Sequence, residues 1–413
     1  MSLTDRRPAP PGGAHAGDAA GQAAQASSEG AAAAKPWADP FALAARAVPG
    51  LDGLRGLACL MIFNVHFFAQ FADASYFTGS GTPLHSLIHA VHSGSHGVDV
   101  FFVVSGYLIY GSLARKRPTL SRFILERYKR LLPVVLAVNI PALYWVNADW
   151  KMIVDNVFFL DLFGAKLVTF VSWALVYEMY FYLLCGVWLI VLGCGKNGPP
   201  WRSWTLLAGL YVANSLYFHV NTVLSDWRFM GFFVGIGLGM LRADPRGSKA
   251  FGKIPPGFWP VGLAVLGLGC WLWSRDFTGT LSAVSPALAL AYFTAFDLAV
   301  AMLVASLVNA AQAARPSSAP GDAAGNGPGR DVPGPRSRGG GVFTCTPMRM
   351  VGAVSYSLFL LHTQWGLPLA NTLFGRPASL AGLGLHYGLS LGVSFALAAF
   401  LYMHLEKFYF TRR

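Results

Sequence analysis

Eight ionisable side chains sit inside, or at the mouths of, long apolar runs: Asp52, Arg55, His66, Asp99, Glu178, Asp297, His362 and His404. An ionised group at the centre of a membrane span costs roughly 3 kcal/mol, so each is a candidate for function. Arg55 and His66 stand eleven positions apart in LDGLRGLACLMIFNVHFF. On a helix that is about three turns, which puts both on one face about 16 Å apart along the axis. A fixed cation at the mouth and an imidazole further in suit chemistry that binds an anion and moves a proton. The plainer alternative is an arginine that snorkels to lipid phosphates and a histidine that hydrogen-bonds a neighbouring helix. Asn64 and Asp52 beside them favour a polar cavity.

Further along, FILERYKR carries Arg127 and Arg130 three positions apart, on one helical face. Paired guanidiniums suit phosphate or pyrophosphate. Plain cytoplasmic anchoring is the alternative, and it covers Arg115, Lys116 and Arg117. Glu178 lies in SWALVYEMYFYLL among Trp173, Tyr177, Tyr180 and Tyr182. That stretch reads either as a sugar-binding wall or as a buried carboxylate with a Tyr or Arg partner behind an interfacial aromatic belt. Asp99, in HGVDVFFVVSGYLI, is otherwise a helix cap or an interhelical pair. His85, His89, His92 and His96 are spaced to share a helical face, and imidazoles there could hold zinc or copper. No carboxylate or cysteine accompanies them in that loop, so a structural or substrate-facing role is preferred and no metal is expected.

These residues need membrane helices to position them. Of 413 residues 54% are hydrophobic and 12% charged, with a mean hydropathy of +0.47. A soluble domain of this size carries far more charge. Apolar runs predict an all-α, polytopic membrane protein with about ten spans. They fall near 54–72, 97–113, 131–147, 170–193, 203–219, 226–241, 258–273, 287–308, 350–372 and 381–404. Arg and Lys cluster in alternate loops, which places both termini in the cytoplasm. The net charge of +12 belongs to those loops, and no aromatic and basic patterning points to nucleic acid.

Residues 1–48 read as a disordered cytoplasmic tail without a cleavable signal, 49–406 as the membrane domain and 407–413 as a short cytoplasmic tail. Within the domain, 312–343 is rich in Pro, Gly and Ser and reads as a disordered cytoplasmic loop. The five cysteines show no paired spacing and read as small buried hydrophobes. Gly231, Gly235 and Gly239 form a small-xxx-small stripe, a helix-packing signal.

Taken in order, five stretches resemble the integral-membrane acyltransferase family often called acyltransferase 3. LDGLRGLACLMIFNVHFF is similar to its first-span signature, with Arg55 and His66 as the spaced cation and histidine. HGVDVFFVVSGYLI resembles the second-span signature, and FILERYKRLLP the RxxR segment, carried by Arg127 and Arg130. SWALVYEMYFYLL resembles WSLxxE with Glu178 as the carboxylate, and VGAVSYSLFLLHT the late SYSLYLxH stretch with His362. Ala174 replaces the usual Ser, and Met179 and Tyr180 stand where acid or amide residues often follow. The SGNH-type domain of some relatives is missing, which implies a stand-alone enzyme.

The resemblance implies transfer of an acyl group, commonly acetyl from acetyl-CoA, to a hydroxyl of a carbohydrate or other envelope molecule in the inner or plasma membrane. It implies acyl-CoA as a donor substrate rather than a bound cofactor, with a carbohydrate or lipid-linked glycan acceptor and membrane lipid as partners. On that basis Arg55, Arg127 and Arg130 hold the donor polyanion, and His66 removes the hydroxyl proton. Glu178 or Asp99 orients the histidine or binds sugar hydroxyls, and Trp173, Tyr182 and His362 contact the acceptor. No Cys or Ser nucleophile stands out, which favours direct transfer over an acyl-enzyme. The same buried His, Asp and Glu would also serve a proton-coupled transporter, the alternative from another class.

Overall fold

The computed structural model describes residues 40, 41, 43, 48–71, 91, 93–116, 118–158, 168–194, 196–274, 285–314 and 340–408. The chain divides into two units. Phe41–Pro316 with Pro335–Arg413 carries all the elements below, and the other unit lies almost wholly outside the described residues. The expected tail and loop lie largely outside them too.

Every regular element among the described residues is helical. α1 (Pro49–Ala69) starts on a proline, whose missing N–H is no loss in a first turn. It is followed by α2 (Gly97–Lys116) and by α3 (Leu120–Trp145), which Thr119 caps through the Arg122 N–H. Next come α4 (Trp150–Phe158), α5 (Trp173–Cys185), α6 (Trp201–Ala213) and α7 (Met230–Ala243). α8 (Pro245–Gly252), α9 (Trp259–Ser274) and α10 (Pro286–Ala313) lead to the last third of the fold. There α11 (Thr346–Ala353), α12 (Ser355–Leu361), α13 (Leu367–Phe374) and α14 (Leu380–Leu401) complete the unit.

Five segments among the described residues are long and apolar enough to cross a membrane: Pro49–Ala69, Gly94–Lys116, Phe170–Val191, Pro286–Ala313 and Leu380–Glu406. A shorter apolar helix covers Trp259–Gly269. The other expected spans are helical but fall short, each for a visible reason. α3 begins in the charged FILERYKR stretch and holds Pro133 and Pro141. α6 has 13 residues and α7 has 14. The 350–372 run is broken between α11, α12, the π-helical turn His362–Gly366 and α13. The end of the expected disordered loop is ordered as well. Gly341–Thr344 forms a short turn, and Phe343 is fully buried.

Close backbone approaches set the helices in register. A Cβ added at Gly235 on α7 would lie 2.2 Å from the Val103 carbonyl oxygen of α2, and one added at Gly352 would lie 1.7 Å from that of Asp52. The glycine stripe therefore packs α7 on α2, as its spacing predicts. Phe232 of α7 stacks on Phe102 of α2 at 4.2 Å and on Phe181 of α5 at 4.1 Å. That core fixes the helix carrying Glu178 and Tyr182. Gly235→Ala is expected to lower the melting temperature in detergent, because overpacking costs about 1–3 kcal/mol. An unchanged melting temperature would show that α2 and α7 do not approach this closely.

Candidate functional site

A cavity of about 320 Å³ opens between α1, α2, α3, α5 and α12. Its polar lining includes Asp52, Arg55, Arg127, Arg130, Glu178 and Tyr182. The structure thus gathers six of the residues singled out in the sequence, from three helices, into one chamber. Arg127 lies between two rings, 5.5 Å from that of Phe123 and 5.6 Å from that of Tyr182. Its buried Nε meets no acceptor among the described residues. Burial pulls its guanidinium below the ordinary arginine value, Tyr182 opposes that pull, and Arg130 adds to it. A desolvated cation with an unused donor is a ready partner for an anion. Arg55 stands 6.0 Å over the Phe101 ring. Glu178 accepts a short hydrogen bond from the Tyr182 hydroxyl, one turn on, so the carboxylate and the aromatic wall act together.

Sequence reasoning missed Ser355, Tyr356 and Phe359, which α12 lays along the same cavity. Tyr356 donates to the Leu131 carbonyl at 2.8 Å and ties α12 to α3. Cys59 is buried, and its Sγ contacts the Ser355 carbonyl at 3.5 Å, which ties α12 to α1. The signal was present in the SYS of the late stretch, but polar residues in an apolar run are common and these carry no charge.

His66 and His362 lie beyond the cavity and meet each other. His66 Nδ1 is 2.8 Å from His362 Nε2, although 296 positions separate them in the chain. His362 Nδ1 is 2.9 Å from the Leu358 carbonyl. A carbonyl can only accept, so in the neutral pair the His362 proton sits on Nδ1 and its Nε2 is the acceptor. His66 must then donate from Nδ1, which leaves the lone pair on its Nε2. The geometry therefore makes Nε2 the unprotonated nitrogen of His66. His362 is fully buried and starts the π-helical turn, a distortion frequent at functional sites. His66 is half-buried, with the Phe170 ring edge-on at 6.3 Å.

The remaining candidates stand elsewhere. Asp99 is fully buried in a cluster of its own. His96 Nδ1 lies 2.6 Å from its Oδ2, and Arg228 Nη1 donates to both its oxygens at 3.1 and 2.9 Å. The same guanidinium holds the Ser95 carbonyl at 3.2 Å. His66 thus has His362, not Asp99, on its Nδ1, and the interhelical pair considered for Asp99 is what the structure shows. Trp173 packs edge-on against Tyr177 at 5.3 Å, and Tyr177 donates to Asp226 at 2.7 Å. His404 is exposed and lies against Phe400 at 4.3 Å. His85, His89 and His92 lie outside the described residues.

The pattern of the acyltransferase 3 family, described as an acyltransferase domain, matches residues 48–403. The chain is also similar to the peptidoglycan O-acetyltransferase OatA of Listeria monocytogenes, at 26% identity over 35% of this chain and 24% of that protein. A Bacillus subtilis protein named "Putative peptidoglycan O-acetyltransferase YrhL" matches at 26% identity over the same shares of each chain. These matches thus span about a quarter of the length of the curated relatives. No solved structure matches.

Proposed function

We propose, from the premise that the chain belongs to the acyltransferase 3 family, that it is a multi-pass membrane O-acyltransferase that moves acetyl from acetyl-CoA to a hydroxyl of a cell-envelope carbohydrate. The observation that carries this reading is the pairing of two sites by the same two helices. α1 brings Arg55 to the cavity and His66 to the histidine pair, and α12 and its π-turn bring Ser355 and His362 to the same two places. An anion-binding chamber and a base beyond it are what a polyanionic thioester donor and a hydroxyl acceptor require. The names of the relatives point to peptidoglycan or a related glycan as the acceptor class. The basic loops favour ten spans with both termini in the cytoplasm of an inner or plasma membrane, and so a donor that enters from the cytoplasm.

In this mechanism the donor phosphates lie against Arg55, Arg127 and Arg130. His66 Nε2 takes the proton of the acceptor hydroxyl as its oxygen attacks the thioester carbonyl. The C–S bond breaks as the ester C–O bond forms, and the proton on Nε2 passes to the departing sulfur. His362 acts as a positioning residue, because its Nε2 keeps the His66 proton on Nδ1 throughout. Glu178, bonded to Tyr182, faces the donor chamber, where it orders the cations rather than the histidines.

The test is purified protein in nanodiscs with acetyl-CoA and envelope fractions, with free CoA and ester formation measured together. Acceptor-dependent release of both supports the transferase, and flux without release contradicts it. Arg127→Ala is expected to raise the acetyl-CoA KM by about tenfold or more with kcat little changed, since a charge-assisted hydrogen bond contributes about 1.5–3 kcal/mol. An unchanged KM would remove Arg127 from the donor site.

A further inference from the structure

We infer that the inner end of the arginine-lined cavity receives the acyl group of the donor, and that the ring of Phe359 sets the longest acyl chain accepted. The inference rests on the donor reading above and concerns which acyl-CoA the site selects.

Phe359 is the one aromatic side chain that the described contacts place on both the cavity and the histidine pair. It lines the cavity, and its ring lies 6.3 Å from the His362 ring. α12 sets Ser355, Tyr356 and Phe359 along the chamber. His362 follows three residues later, about 4.5 Å further along the axis. On the facing helix, Phe101 lies 6.4 Å from Phe359 and carries Arg55 on its ring at 6.0 Å. The order in space is therefore cation, Phe101, Phe359, imidazole pair. A donor with its phosphates on the arginines and its thioester at His66 must bring the acyl carbons past Phe359.

The surroundings suit a short acyl thioester. Phe359 itself is only 7% exposed, held in the core rather than swung into open space. Ser355, one turn back on α12, has a fully buried hydroxyl with no hydrogen-bond partner among the described residues. A buried hydroxyl without a partner is costly, and a carbonyl of the thioester arm would supply one. On this inference a methyl group sits beside the Phe359 ring, and each further methylene has to displace it. Pockets of this kind discriminate by roughly tenfold or more per methylene.

The experiment is competition binding of acetyl-CoA, butanoyl-CoA and hexanoyl-CoA to the full-length protein in nanodiscs, with CoA as reference. Wild type, Phe359→Ala and the milder Phe359→Leu are compared, each first shown to be folded by its melting transition. Wild type is expected to bind acetyl-CoA more tightly than butanoyl-CoA, which is two methylenes longer, by roughly a hundredfold. Phe359→Ala should erase or reverse that order, with Phe359→Leu between the two. If the folded variants keep the wild-type preference, the acyl pocket is not at Phe359, and the donor reading survives. If wild type binds neither CoA nor acetyl-CoA, the donor reading fails and takes this inference with it.

Discussion

His66→Gln is expected to cut acyl transfer by about a thousandfold, within the range that a positioned general base contributes. Expression, membrane insertion and acetyl-CoA binding should stay near wild type. The expectation follows from the pair of rings. In the neutral pair His66 donates through Nδ1 to His362, which leaves the Nε2 lone pair for the proposed role as base. Glutamine fills much of the same space and can still donate to His362 Nε2, but its side-chain amide cannot accept a proton near neutral pH. The arginine-lined cavity lies about three turns away along α1, so the arginines keep their geometry. His362→Gln is the companion variant. It should lose less, because it disturbs the tautomer of His66 and leaves the base in place. If His66→Gln keeps substantial transfer, the base lies elsewhere and the histidine pair is structural.

Asp99→Ala should fail in the opposite way, through stability rather than rate. Asp99 is fully buried and bears Arg228 on both oxygens and His96 on one. Removing one partner of a buried ion pair strands the other charge and costs about 3–5 kcal/mol. The lower end applies here, since the Asp226 carboxylate also lies close to Arg228 and shares its field. The variant is expected to give a lower yield and a lower melting temperature, with normal kcat in the fraction that folds. A double change to apolar residues, Asp99→Leu with Arg228→Met, removes both charges and should recover much of the stability. A normal melting temperature with lost kcat would instead place Asp99 in the chemistry.

Charge in an apolar run was the legible signal. Arg55 and Glu178 stood out because lipid does not tolerate them without a purpose, Arg127 and Arg130 because they pair three positions apart, and all four line one cavity. Partnership was not legible. Nothing local in the chain says that His66 meets a histidine 296 positions away, or that Arg228 closes on an aspartate 129 positions earlier. Both contacts depend on which helices become neighbours, and periodicity within a run carries no record of that. Arg228 offered a faint hint as a lone cation beside an apolar helix away from the basic loops. Phe359 offered none, since a phenylalanine among leucines reads as core.

The all-helical membrane class followed from composition, but hydropathy smooths over breaks. The 350–372 run is apolar throughout, yet the structure divides it, and the division puts His362 on a π-turn. The interruption that spoils a simple span is the one that builds the site. The loop read as disordered to residue 343 ends earlier because Phe343 finds a buried place and its carbonyl packs beneath Gly53. A single aromatic at the end of a Gly-rich stretch is a weak signal in sequence and a strong anchor in three dimensions.

The most direct measurement follows isotope-labelled acetyl from acetyl-CoA into ester on envelope carbohydrate, with purified protein in nanodiscs and mass spectrometry as the readout. The mechanism predicts label in the ester with wild type and none above background with His66→Gln, while both proteins bind acetyl-CoA equally. Label at the same level in both, or in neither, would contradict it.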